Sequence, residues 1–123
     1  DIIYNVESSH CYSNMSQFIS EAYRVLRSGG HFAWTDFRDK KTMESIHKQF
    51  LSTGFEIELQ SDITEEVVSA LDQVSDDKQS RIKNGTNVII RRSFETFAGV
   101  RNTPVYDAFI KGDLGYYRYL LRK

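Results

Sequence analysis

The sequence predicts an α/β fold in which parallel strands alternate with helices through right-handed crossovers. Three observations carry it. Short apolar runs of strand character recur at residues 2–6, 31–37 and 55–60. The segments between them repeat their apolar residues at three- and four-residue spacing, which puts those residues on one helix face. The links between these segments are short.

Each element follows in order. Ile2-Ile3-Tyr4-Asn5-Val6 is a β-branched run suited to a strand covered on both faces. A polar stretch from Ser8 to Ser13 follows, with His10, Cys11 and Tyr12 inside it. Met15, Phe18, Ile19, Ala22, Tyr23 and Leu26 make the face of a first helix. Asn14 is placed to cap it, with Gln17 completing a capping box. Arg24 and Arg27 suit its C-terminal dipole, and Gly29-Gly30 supply a left-handed stop. His31 to Phe37 is a second strand. Met43, Ile46, His47, Phe50 and Leu51 face one way on a second helix that Gly54 ends. Phe55, Ile57 and Leu59 alternate with polar residues, the pattern of a half-exposed strand.

Thr64 starts a third helix, with Glu65 and Glu66 in its first turn and Ile63 and Val68 placed as a hydrophobic staple. Val88-Ile89-Ile90, Phe94 and Phe97 suit a further helix. Pro104 opens a short one through Ile110, and Gly112 stops it. Tyr116 to Leu121 reads as a last strand.

Composition narrows the function. The 123 residues amount to one domain or less, and the net charge is −1. Basic residues are scattered, so no electrostatic footprint for nucleic acid is expected. No apolar run approaches the length a membrane span needs. Cys11 is the only cysteine, which excludes an intrachain disulfide and fits a reducing, cytoplasmic setting. No metal motif occurs. A strand at position one, with no initiator Met, predicts a chain whose earlier part is not included.

The order strand, Asn-Val-Glu-Ser-Ser-His-Cys-Tyr, helix, Arg-Val-Leu-Arg-Ser-Gly-Gly, strand ending in Thr-Asp-Phe is specific. It resembles the C-terminal half of class I S-adenosylmethionine-dependent methyltransferases, with Ser28 where the usual signature has proline. Phe97-Ala98-Gly99-Val100, Tyr106 and Gly112-Asp113-Leu114 through Tyr119 resemble the closing segment of the phthiotriol-type glycolipid, polyketide and sugar O-methyltransferases. The resemblance implies a Rossmann-like sheet whose strands are the family's fourth to seventh. The last would run antiparallel, slotted beside the second strand of this chain. Residues 1–62 would be strand-helix-strand-helix-strand, 63–113 a helical lid insertion, and 114–123 the last strand. The first three strands, with the glycine-rich turn and the acidic residue that hold S-adenosylmethionine, would precede this chain. No Gly-x-Gly-x-Gly occurs in it, so the chain alone is expected to be inactive and to bind the cofactor poorly.

Ligands of open α/β sheets bind outside the carboxyl ends of the strands. Asn5 to Tyr12 leaves one such end and Asp36 closes the next, so His10 and Asp36 face one crevice. Histidine has the pKa range of a general base, and a carboxylate can orient it. In related sugar O-methyltransferases a histidine after the fourth strand pairs with an aspartate ending the fifth, and His10 and Asp36 fall on those positions. The plainer alternatives are a loop histidine with a structural hydrogen bond and a helix-capping or surface carboxylate. Asn5 and Glu7 are candidates for the methionine part of the cofactor, or for satisfying the strand-end backbone. Tyr12, Phe94, Phe97 and Tyr106 are candidate acceptor contacts. His31 and His47 read as structural, and Cys11 as a small buried side chain.

The function these residues point to is methyl transfer to a hydroxyl of a small molecule or lipid. Two alternatives stand beside it: a non-catalytic remnant or interaction module, and an N- or C-methyltransferase of phosphobase or sterol type. Apolar surface left open by absent strands predicts a homodimer or poor solubility.

Overall fold

Strands and helices alternate as the apolar periodicity predicts. The structure, a computed structural model, describes residues 1–81 and 103–123, with 74–81 as backbone only. The elements are β1 (Ile2–Val6), a 3-10 turn (Ser9–Cys11), α1 (Met15–Val25), β2 (His31–Arg38), α2 (Lys40–Thr53), β3 (Glu56–Asp62), α3 (Thr64–Arg81), α4 (Pro104–Lys111) and β4 (Gly115–Arg122). They fall into two compact units, one of Asp1–Ile63 with Gly115–Lys123 and one of Thr64–Leu114. The helix expected around Val88 to Phe97 lies outside the described residues.

The first unit holds a sheet ordered β1-β2-β4-β3. β1 and β2 pair in parallel, and β4 runs antiparallel to both β2 and β3. The last strand therefore sits beside the second, as the family resemblance implies. β2 alternates strictly along its length: Phe32, Trp34, Asp36 and Arg38 are buried on one face. That alternation carries the strand one residue past the predicted end, to Arg38. Phe32, Trp34 and Leu121 from the sheet meet Ile19 of α1 and Phe50 of α2, all almost fully buried. Phe32 packs against the rings of Phe18, Phe50 and Phe55, with centroids 5.8, 6.3 and 5.8 Å away.

The helix ends have local causes. Asn14 Oδ1 accepts from the Gln17 amide at 2.9 Å and caps α1. The helix stops earlier than predicted, because Leu26 turns to an extended conformation and buries its side chain in the core. Gly29 (φ +75°) then reverses the chain, and a Cβ on Gly30 would lie 2.9 Å from the Arg27 carbonyl oxygen. The Lys123 ammonium donates to the carbonyls of Tyr23 and Leu26, at 2.6 and 2.7 Å, satisfying the exposed end of α1. Asp39 caps α2 through the Thr42 amide, and Gly54 in the left-handed region closes it.

Two expectations fail. β1 is buried on one face only: Ile2, Tyr4 and Val6 are 67%, 77% and 57% exposed, because nothing among the described residues of this unit covers that side of the sheet. Apolar content alone does not report how many faces are covered. β3 does not alternate cleanly either. A bulge between Ile57 and Leu59 pairs them with consecutive β4 residues, Leu121 and Leu120, so Leu59 leaves the core side and is exposed.

In the helical unit, α3 starts at Thr64 with Glu65 and Glu66 in its first turn. Thr103 caps α4, Pro104 occupies its first turn and Gly112 closes it. The Tyr106 hydroxyl donates to Asp72 of α3 at 2.7 Å, tying the two helices together.

Truncating Phe32 to alanine is expected to cost about 3–5 kcal/mol in urea denaturation of the protein, whereas Tyr4→Ala should cost no more than about 0.5 kcal/mol. A Tyr4 variant as damaged as the Phe32 variant would mean that the open face of β1 is covered in solution.

Candidate active site

β1 and β2 run in parallel, so their carboxyl ends lie side by side. Asn5 pairs in register with Trp34, and Asp36 follows two residues later on the same face of β2. The chain leaving β1 passes through Glu7, a non-glycine residue at φ +46°. The Glu7 amide still donates to Thr35 O at 3.0 Å, extending the ladder by one residue. The 3-10 turn at Ser9–Cys11 then folds back over the end of β2.

Asp36 is wholly buried there and surrounded by donors. Its Oδ2 accepts from the Ser9 hydroxyl at 2.7 Å and from the His10 amide at 3.0 Å. Its Oδ1 lies 2.8 Å from His10 Nδ1, 2.9 Å from the Phe37 amide and 3.2 Å from the Arg38 guanidinium. Burial pushes the Asp36 carboxyl up. The hydrogen bonds from Ser9 and His10, the Arg38 charge and the Phe37 amide outweigh that and hold it below the usual carboxylate range.

Proton positions follow from the donors. Ser9 Oγ also receives the Trp34 indole N–H and an Arg38 N–H, each at 2.9 Å. Neither of those groups can accept, so both lone pairs of Ser9 are filled and its own proton points to Asp36. An ionised Asp36 offers only acceptors, so His10 Nδ1 is the donor in their contact. The neutral ring then carries its lone pair on Nε2. The His10 side chain is 22% exposed and its ring lies against Phe37, centroids 4.5 Å apart. A fixed, partly accessible imidazole backed by a buried carboxylate can take a proton at Nε2 and stabilise the resulting charge.

A surface or capping carboxylate does not describe Asp36, which is buried, while Asp39 performs the capping. His10 is in a loop with its ring hydrogen-bonded to the buried carboxylate, a contact that a purely structural histidine would also make.

Next to the pair, Asn5 Nδ2 donates to Ser8 Oγ at 2.6 Å and approaches the Tyr12 hydroxyl at 3.4 Å. Asn5 Oδ1 is buried without a hydrogen-bond partner, an arrangement that suits a donor from a bound molecule. Glu7 is engaged differently. Burial first, and then a hydrogen bond to its carboxylate, raise the Tyr116 hydroxyl well above the ordinary phenol range. Tyr12 is partly exposed and packs edge-on against Phe18. Tyr106 belongs to the helical unit, where it bonds Asp72. Phe94 and Phe97 lie outside the described residues.

Cys11 is exposed, against the expectation of a buried side chain, because the 3-10 turn carries it outward. His31 pairs with Glu58 at 3.1 Å and His47 with the Tyr119 hydroxyl at 3.2 Å, away from the dyad. No three His, Cys, Asp or Glu residues among those described are grouped to hold a metal. No described helix is long and apolar enough to cross a membrane. Sequence reasoning missed Ser9 and Arg38. The signal for Arg38 was present, as the next residue in the alternation Phe32, Trp34, Asp36.

No family model matches the chain. It is 28% identical, over all of its 123 residues, to 46% of the phthiotriol/phenolphthiotriol dimycocerosates methyltransferase of Mycobacterium leprae. It is 29% identical, over 82% of its length, to 37% of the fatty-acid O-methyltransferase of Mycolicibacterium smegmatis. The chain is a relative of these methyltransferases. It spans less than half the length of each of the two. Its methyltransferase fold also matches a solved O-methyltransferase from a polyketide synthase of Brevibacillus brevis, in complex with S-adenosyl-L-homocysteine. There the TM-score is 0.71 at 14% identity, covering the whole of this chain and 43% of that one.

The depressed Asp36 titration sets a pH signature. A carboxyl whose folded pKa lies below its unfolded value stabilises the fold fully above the unfolded value, about 3.9, and loses that contribution as pH falls through the folded one. Asp36→Asn should therefore cost about 3 kcal/mol at neutral pH. Its deficit in thermal or urea unfolding should shrink only below the ordinary carboxylate range. A deficit that closes already near pH 6 would contradict this.

Proposed function

We propose that this chain forms the acceptor-activating part of an S-adenosylmethionine-dependent methyltransferase acting on a hydroxyl of a small molecule or lipid. The observation that carries the reading is the His10–Asp36 contact at the adjoining carboxyl ends of two parallel strands, with Nε2 left as the basic nitrogen. When bound, S-adenosylmethionine supplies a methyl group on a positively charged sulfur. The orphaned Asn5 Oδ1 fits the cofactor's methionine ammonium, and Glu7 lies two residues further on. Tyr12, hydrogen-bonded beside Asn5, is the proposed acceptor contact.

His10 Nε2 would accept the hydroxyl proton of an acceptor whose oxygen takes the methyl group that bound S-adenosylmethionine would supply. Asp36 stabilises the imidazolium until the proton passes to solvent. A hydroxyl gains most from such a base, because its proton must leave during or after transfer. An amine or carbon acceptor on the same fold is the competing reading. A protein of the same fold that keeps no chemistry is the other.

In the full-length protein, His10→Ala should slow methyl transfer about 10²–10⁴-fold, with wild-type affinity for S-adenosylhomocysteine. Undiminished turnover would remove His10 from the chemistry, and a panel of hydroxyl, amine and sterol acceptors would identify the class of acceptor.

The open apolar face of β1 bears on partners. The 123-residue chain alone should self-associate in sedimentation, and Tyr4→Lys should weaken that association. A monodisperse monomer of the unaltered chain would count against the homodimer.

A further inference from the structure

We propose that Arg38, anchored on Ser9, is a positioning residue that weakens His10 as a base by sharing the Asp36 charge. The inference rests on the reading of His10 as the base and deepens it. Arg38 and His10 meet on the same carboxylate oxygen, Asp36 Oδ1, at 3.2 and 2.8 Å. With a neutral imidazole the three groups sum to zero charge. With an imidazolium they carry one net positive charge, and the two cations share a single oxygen. A nearby like charge disfavours the charged form. A His–Asp pair with this arginine therefore releases its proton more readily than the same pair without it.

Ser9 and the Phe37 carbonyl, which accepts from the other terminal nitrogen, keep the cation in place. Arg38 is buried, and its guanidinium lies over the Trp34 ring at 5.7 Å. Its second terminal nitrogen is bound to a hydroxyl whose proton is itself committed to Asp36. The guanidinium cannot swing away without leaving that hydroxyl half-satisfied in the interior.

Among the described residues, the other titratable groups around the cluster are these. Tyr116 on β4 senses both Glu7 and Asp36, with Glu7 on the turn after β1. Cys11 adjoins His10 in the chain, and Asp39 at the start of α2 is taken up by Thr42.

The test uses full-length protein carrying Arg38→Gln or Arg38→Lys. The His10 ring is titrated by NMR, and the acidic limb of kcat/KM is followed in parallel. Arg38→Gln removes the charge while keeping donors, and both midpoints should move to higher pH by about one unit. Arg38→Lys should hold them near wild type. An unchanged or lower midpoint in Arg38→Gln overturns the proposal. If that variant fails to fold, Ser9→Ala keeps every charge but removes one contact of the guanidinium together with one hydrogen bond to Asp36. It should move the midpoint upward by less, and no movement overturns the proposal equally. If instead His10→Ala keeps full turnover, the base assignment falls, while the NMR titration still reports whether Arg38 and His10 are coupled.

Discussion

The site is organised by one constraint: a carboxylate buried at the end of β2 must be satisfied on both oxygens. An unpaired ionised carboxylate in the interior would cost several kcal/mol. Asp36 avoids that with five donors from two segments: the Ser9 hydroxyl, the His10 amide and ring, the Phe37 amide and the Arg38 guanidinium. Three of the five come from Ser9 and His10, so satisfying Asp36 folds the 3-10 turn onto β2. The shape of the loop after β1 is thus tied to a single charge. The same contacts fix which nitrogen of His10 is basic.

Much of the fold was legible in the sequence because it rests on local periodicity and on end signals. Asn14, Gly54, Pro104 and Gly112 each act where their side chain, or its absence, requires. The placement of β4 beside β2 is different. Nothing local in residues 115–122 states their partner, and the family resemblance supplied it. What failed was tertiary. The exposed face of β1 depends on what covers a sheet, which composition does not encode. The exposed Leu59 depends on a one-residue bulge, which moves a side chain across the sheet without changing the pattern of residue types.

The site divides along the same line. His10 and Asp36 could be placed together because chain order and parallel topology put strand ends side by side. Ser9 could not be ranked from sequence, since a serine in a polar loop is an ordinary surface residue, and Arg38 was passed over as an ordinary strand-end arginine. Their importance comes from burial, and burial comes from Trp34. Its indole fills the core next to Phe50 and Tyr119 and presents its N–H to Ser9 at the core's upper edge. Tracing strand alternation past Asp36 would have flagged Arg38, because a charged residue at a predicted inward position demands a partner.

The two halves of the proposed chemistry also rest on different kinds of order. The dyad is over-determined: both side-chain oxygens of Asp36 and the hydroxyl of Ser9 are fully bonded, so the proposed base is held in place before any ligand arrives. Such preorganisation removes the cost of aligning the base during reaction. Asn5 is the reverse. Its nitrogen is anchored to Ser8, while its carbonyl oxygen is buried and unmatched. A polar atom left in that state raises the energy of the unliganded protein, and a bound donor recovers that energy. Complete satisfaction at Asp36 and an unmatched oxygen at Asn5, at neighbouring strand ends, are what the proposed pairing of a fixed base with a cation-binding position rests on.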